Sequence, residues 1–356
     1  NASGAIAISG DVFLAGDSKQ VVRFSDVVSI PRFLFDNNGR CDIDCHVRLA
    51  ANSKMRYFVP SDFSGGFDLN GFRLQVTGEQ LILSELDQEK YLLDGIMEFY
   101  GHDFVLKDME LPENSVLSFV NRCEMRIVGL NRSSCRLWNL HVQKNATLVL
   151  CHEQHCTVTG PILTVLSISG DLVLEGTLEC PFSGDFQINM LGTGQTCQLA
   201  RLMAGNNLIL TVDVGENLFK PDHMTTHGDV RFLWNETTQN VYLAPGDYRG
   251  ISRIAIPDHI EALHCLPGKY EFPVLEIRTS GGKEITWLND GNGKIQWFGN
   301  IELFGNGICH NEMEELEIET LWTETHLRFS VDEMLIKHPI VQGGSITGDG
   351  SLIVFA

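Results

Sequence analysis

No stretch of this chain approaches the ~20 consecutive apolar residues that a membrane-crossing helix needs. The most apolar run, Gly160 to Gly170, is short and broken by Pro161, Thr164 and Ser167. Positive charge is scarce as well: 26 Lys plus Arg stand against 46 Asp plus Glu, a net of -20, with no basic cluster to offset it. Nucleic acid requires convergent cations that displace its counterions, so it is excluded as a partner, and an anionic membrane surface is disfavoured for the same reason. A cationic group, a Ca²⁺ ion or a neutral glycan suits the field better, and the charge also serves solubility.

Catalytic signatures are equally thin. The chain has no Gly-Lys-Ser/Thr phosphate loop, no Gly-x-Gly-x-x-Gly, no Gly-x-Ser-x-Gly elbow, no His-Glu-x-x-His and no Asp-Asp pair. Nucleotide-dependent and common hydrolase chemistries therefore lack support, and no cofactor is implied. Ten cysteines spread over 356 residues are too dilute for a fold that depends on disulfides. Cys41/Cys45, Cys123/Cys135 and Cys151/Cys156 are candidate local bridges in an oxidising compartment and small buried hydrophobes in a reducing one.

What the sequence does contain is strand. Apolar and polar residues alternate over short runs ended by Gly, Asn or Asp, as in Asp11-Val-Phe-Leu14, Gln80-Leu-Ile-Leu83, Leu172-Val-Leu174 and Ser351-Leu-Ile-Val-Phe355. This is the two-residue period of half-buried strands. With 43% apolar and 20% charged residues, the chain has material for a large core. Apolar strands closing on Gly recur at Phe67–Gly71, Met97–Gly101, Met125–Gly129, Cys156–Gly160 and Phe186–Gly192, a period of about 30 residues typical of stacked coils. Some are followed by paired strands, Leu74-Gln-Val76 with Leu81-Ile-Leu83 and Leu140-His-Val142 with Leu148-Val-Leu150. The expected fold is an all-β parallel β-helix (β-solenoid) with irregular side loops. The alternative is an antiparallel sandwich or barrel, whose strands would also be evenly spaced.

Helix signals are few. Ser84–Gly95 has an N-cap, an acidic first turn and a terminal Gly, Thr196–Gly205 is a second candidate, and Glu312–Leu335 fits either helix or strand. After about Gly205 the composition shifts toward Trp, Pro and His. Residues 1–205 read as coils with an N-terminal cap, and 206–356 as a continuing stack or a second all-β domain.

Three clusters are candidate sites. Cys151-His-Glu-Gln-His-Cys156 offers four zinc donors, Cys151, His152, His155 and Cys156. Neighbours on a strand point to opposite faces, however, so a disulfide or two inward thiols competes with the metal. Gly101-His-Asp103 and His227-Gly-Asp229 echo polygalacturonase-like strings without that family's acidic doublet and basic tripeptide. Ile285-Thr-Trp-Leu288 and Ile295-Gln-Trp-Phe298, with Val230-Arg-Phe-Leu-Trp234, give Trp234, Trp287 and Trp297 as a ligand-binding platform if they face outward. Alternation places each Ile and its Trp on one face, which favours the core.

Phe67-Asp-Leu-Asn-Gly-Phe-Arg-Leu74 and Gln143-Lys-Asn-Ala-Thr-Leu-Val-Leu150 give residues 67–179 a resemblance to bacterial surface β-solenoids: autotransporter passengers, filamentous-haemagglutinin-like adhesins and polymorphic outer-membrane proteins. The resemblance implies a secreted or cell-surface binding or structural protein that contacts a glycan or protein receptor, with a homo-oligomer also compatible. The competing expectation is a polysaccharide lyase or hydrolase on the same scaffold. Two converging carboxylates in a groove would favour the enzyme, and exposed apolar or aromatic patches would favour binding.

Overall fold

A computed structural model gives the three-dimensional arrangement. It describes the strand segments of residues 6–49 and, from 51 to 348, the chain apart from 56–57, 59–66, 85–90, 93, 108–110, 112, 129–133, 153–162, 182–183, 207, 314 and 330–332, with a last strand at Leu352–Phe355. The protein is an all-β parallel β-solenoid of about 11 turns, with no helix among the described residues. The strand pairs among those residues are parallel, which excludes the antiparallel sandwich. The chain forms two compact units, residues 1–188 with 205–208, and 189–204 with 209–356.

In the first unit short strands of successive coils stack in columns, two of which hold four strands or more. Arg73–Val76, Ile96–Phe99, Val116–Phe119 and Asn139–Val142 form one column. Gln80–Ser84, Asp103–Lys107, Arg122–Val128 and Thr147–His152 form the other. Register carries the inward side chains into ladders: Leu74 lies over Met97, then Leu117, Leu140 and Leu172, all at most 3% exposed. Apolar residues stacked this way shed water on every coil, and burial of that kind is the main drive to fold. The strand Leu172–Cys180 runs through both columns, pairing with Asn139–Val142 by its first half and Thr147–His152 by its second.

The second unit uses longer strands. Gly268–Thr279, Ile295–Gly305, Glu315–Thr323 and Glu333–Val341 make one face; Asn240–Leu243, Ala262–Cys265, Glu284–Asn289, Ile308–Asn311 and His326–Phe329 make another. Its interior is aromatic, with Tyr248, Tyr270, Trp287 and Trp297 at 0% exposure. Where adjacent coils come closest only glycine fits: a Cβ at Gly305, which has φ +107°, would lie 1.7 Å from the Thr279 carbonyl oxygen.

Two expectations change. The glycine-ended strands do not stack on one another. Phe67–Asp68 pairs with Tyr91–Leu92, Met97 and Met125 lie in different columns, Phe186 lies in Gly184–Met190 on yet another sheet, and 156–160 is outside the described residues. The true repeat is the strand pair, and its step drifts with loop length, so the regular glycine spacing does not follow the coils. Thr196–Gly205 is not helical but the strand Thr196–Ala204. Of Ser84–Gly95, Ser84 ends one strand and Tyr91–Leu92 forms another, with 85–90 outside the described residues. Glu312–Leu335 resolves into the strands Glu315–Thr323 and His326–Phe329 and the start of Glu333–Val341.

Candidate ligand-binding groove

Strand alternation sends every second side chain outward, and on the first unit many of these are charged. Gly101-His-Asp103 opens the strand Asp103–Lys107, beside a cavity of about 520 Å³ lined by His102, Asp103, Arg122, Glu124 and Arg126. In-register pairing sets Asp103 beside Glu124 on the next coil. Arg126 donates to Asp103 through Nε at 3.0 Å and Nη2 at 2.6 Å, and Gln80 Nε2 donates at 2.6 Å. Burial pushes the Asp103 carboxyl up, but these donors outweigh it and hold it below the usual range. Arg122 in turn pairs with Glu179 at 2.9 Å. In His227-Gly-Asp229, Asp229 is clasped by Arg231 at 2.9 and 2.7 Å, and its carboxyl is also lowered.

The proposed zinc cluster lies at the end of Thr147–His152. Cys151 is a free thiol, 5% exposed, pushed up to about 11 by burial and by nearby Glu124, which opposes the thiolate that a metal requires. Beyond its place on the strand nothing is described for His152, and His155 and Cys156 are outside the described residues. Among the described residues no group of three or more donor side chains gathers for a metal. Cys123 and Cys135 are buried and not bridged to each other; they sit on different strands, Arg122–Val128 and Ser134–Leu137.

The tryptophans of the expected platform point inward. Trp287 and Trp297 are 0% exposed, with rings 5.0 Å apart, and Trp234 is 2% exposed. A stacking platform needs a ring face at the surface, and these faces are covered. None of the three indole N–H groups has a hydrogen-bond partner.

A second recess lies in the second unit, a groove of about 490 Å³ bordered by Glu216, Leu218, Tyr242, His264, Leu266 and Asp290. Its geometry follows from register. Leu218, Tyr242 and His264 are partners on successive coils, so the phenol and imidazole rings stack at 4.5 Å with 23° between planes. Asp290 Oδ1 lies 2.8 Å from His264 Nδ1, which fixes the ring and leaves Nε2 for the groove. Glu216 Oε1 accepts from the backbone N–H of Gln239 at 2.9 Å and Asn240 at 3.2 Å, so the carboxylate is anchored at one oxygen. Burial, then Glu216 and Asp290, raise the Tyr242 phenol, which keeps it a hydrogen-bond donor at neutral pH. Among the described residues no Lys or Arg lines the groove. An apolar floor with two fixed carboxylates, a phenol and an imidazole can bind hydroxyl-rich or cationic groups.

No family model, curated protein or solved structure matches the chain.

The groove residues carry no local motif, since His264 and Asp290 are 26 positions apart and meet only through coil stacking. A second outward feature was also hidden. Trp322 packs on Phe304 at 4.7 Å beside Ile340, which is 47% exposed, and Val341, 46% exposed. Within Glu315–Thr323, Leu316 and Ile318 face in, then Leu321 and Thr323 do. This slip of one residue, matched by the register shift between Trp297 and Asn300 on the adjoining strand, turns Trp322 outward.

Proposed function

We propose that the chain is a secreted or cell-surface binding protein, adhesin-like in kind, which holds a glycan or protein receptor and does no chemistry on it. The groove around Tyr242 and His264 is the principal contact, and the Phe304/Trp322/Ile340 patch extends the receptive surface. One observation carries the reading: the groove sets an anchored carboxylate, a phenol and an imidazole stacked in register over an apolar floor, a lining suited to holding a hydroxyl-rich ligand.

The alternative, a polysaccharide-cleaving enzyme, draws on the same groove, where Asp290 orients His264 as it would a general base. A glycan array, combined with reducing-sugar release on the bound oligosaccharides, separates the two. The binding reading expects retention without release, with affinity reduced roughly tenfold or more by Tyr242→Ala. Release that disappears in His264→Ala would establish the enzyme instead.

A further inference from the structure

Arginine on this protein is ordinarily spent on a carboxylate: Arg48 holds Asp68 at 2.7 Å, Arg126 holds Asp103, Arg231 holds Asp229 and Arg253 holds Glu276 at 2.7 Å. With 46 acidic residues against 26 basic ones, an arginine without such a partner is the exception. Arg201 is one, and it borders a cavity of about 370 Å³ formed with Leu202, Met203, Thr225, Thr226 and His227. Among the described residues no acidic side chain lines this cavity.

The backbone arranges it. Cys197 and Leu199 face inward, and then Leu202 and Ala204 do. The register shift between Leu199 and Arg201 accounts for this and sets Arg201 beside Thr225 and Met203 beside His227 on the next coil. The facing strand accommodates the slip with His223 at φ 50°, a left-handed conformation that non-glycine residues rarely adopt. Arg201, Thr225 and His227 are all exposed and all can donate hydrogen bonds outward, whereas the Thr226 hydroxyl is committed to the Gly250 carbonyl at 2.7 Å. Two acids on the adjoining coil are occupied elsewhere: Asp229 by Arg231 and Asp222 by Gln198 at 3.3 Å.

We propose that this pocket is a second binding site, distinct from the Tyr242 groove, that takes an oxyanion: a carboxylate or sulfate of an acidic saccharide, received by the Arg201 guanidinium with the Thr225 hydroxyl and His227 beside it. A guanidinium presents a planar fork that matches a carboxylate or sulfate bidentately. In a strongly acidic protein such a ligand is repelled nearly everywhere else, so this site also selects where it lands. The half-buried Met203 beside the site suits the carbon skeleton of a sugar. The site does not depend on the groove reading.

Titration calorimetry on the full chain tests it, with an oligogalacturonate, a sulfated disaccharide, a neutral oligosaccharide of equal length and inorganic phosphate as probes. The uronate or the sulfated sugar is expected to bind more weakly as salt rises. Arg201→Ala should cut that affinity roughly tenfold or more and Arg201→Lys by less, because charge remains but the fork is lost. Arg328→Ala, which removes an exposed arginine outside both recesses, should leave it unchanged, and the neutral oligosaccharide reports on the groove separately. Phosphate binding that is lost in Arg201→Ala, without saccharide binding, would support the oxyanion site and assign it to a free anion. Affinity unchanged in Arg201→Ala with native circular dichroism, or no binding by any anionic probe, would overturn the proposal.

Discussion

The two units fill the same kind of coil with different material. The first stacks Leu, Met and Val in ladders and sets Phe99, Phe104 and Phe119 edge to face, with centroids 5.3 to 6.3 Å apart. The second lays rings parallel, Tyr248 on Tyr270 at 6° and Tyr270 on Phe272 at 22°, and closes its centre with Trp287 against Trp297. Tyrosine hydroxyls there donate to backbone carbonyls, Tyr248 to Ala244 at 2.7 Å and Tyr270 to Leu266 at 2.7 Å. Many medium side chains share the burial in one unit, whereas a few large ones concentrate it in the other. The second unit should therefore be the more sensitive to single truncations.

The largest expected effect tests that difference directly. Trp297→Ala should cost about 3–5 kcal/mol, while Leu148→Ala in the first unit should cost about 2–4, both read as shifts in the urea midpoint by circular dichroism. Equal losses would show that concentration of burial does not matter. Trp297→Phe should cost much less than Trp297→Ala, because the indole N–H has no partner to lose.

Next comes charge. Glu317 is 7% exposed and accepts from Lys294 at 2.8 Å, Lys337 at 2.6 Å and Gln296 at 2.7 Å, which lower its carboxyl to about 2. A carboxyl lowered on folding stabilises the protein above its unfolded value, roughly 4.3, and that contribution fades as pH falls from roughly 5 toward 2. Glu317→Gln should cost about 1–3 kcal/mol at neutral pH and flatten this acid-side loss, measured as melting temperature against pH. A variant whose acid profile matches the parent would remove Glu317 as the source.

The smallest effect belongs to the first unit. Asp103 and Arg126 are 30% and 35% exposed, so water screens their pair, and Asp103→Asn should cost only about 0.5–1 kcal/mol. A loss as large as that of Glu317→Gln would erase the distinction between the units' outer faces.

Much of the scaffold was legible because strands announce themselves locally. Leu74-Gln-Val76 and Leu81-Ile-Leu83 alternate as written, and their places in the two columns follow. Legibility failed where a bulge broke the alternation. In Thr196–Ala204 the inward residues 197, 199, 202 and 204 mix two- and three-residue spacings, which imitates a helix. The groove was illegible for another reason: Glu216, Tyr242, His264 and Asp290 come from separate coils, and their meeting depends on loop lengths that no local pattern encodes. Trp287 and Trp297 share a face with their isoleucines, so alternation already favoured the interior for them, whereas the outward turn of Trp322 had no local sign.

The one-residue slip near Glu319 suggests how a coil of this kind gains new contacts. Ile318 and Trp322 have the same parity in the sequence, yet one ends in the interior and the other at the surface. An insertion or deletion of one codon can therefore exchange which half of a strand meets the outside world, leaving the ladder on its far side intact. A lineage can in this way present a fresh aromatic to a changing partner without inventing any new side chain.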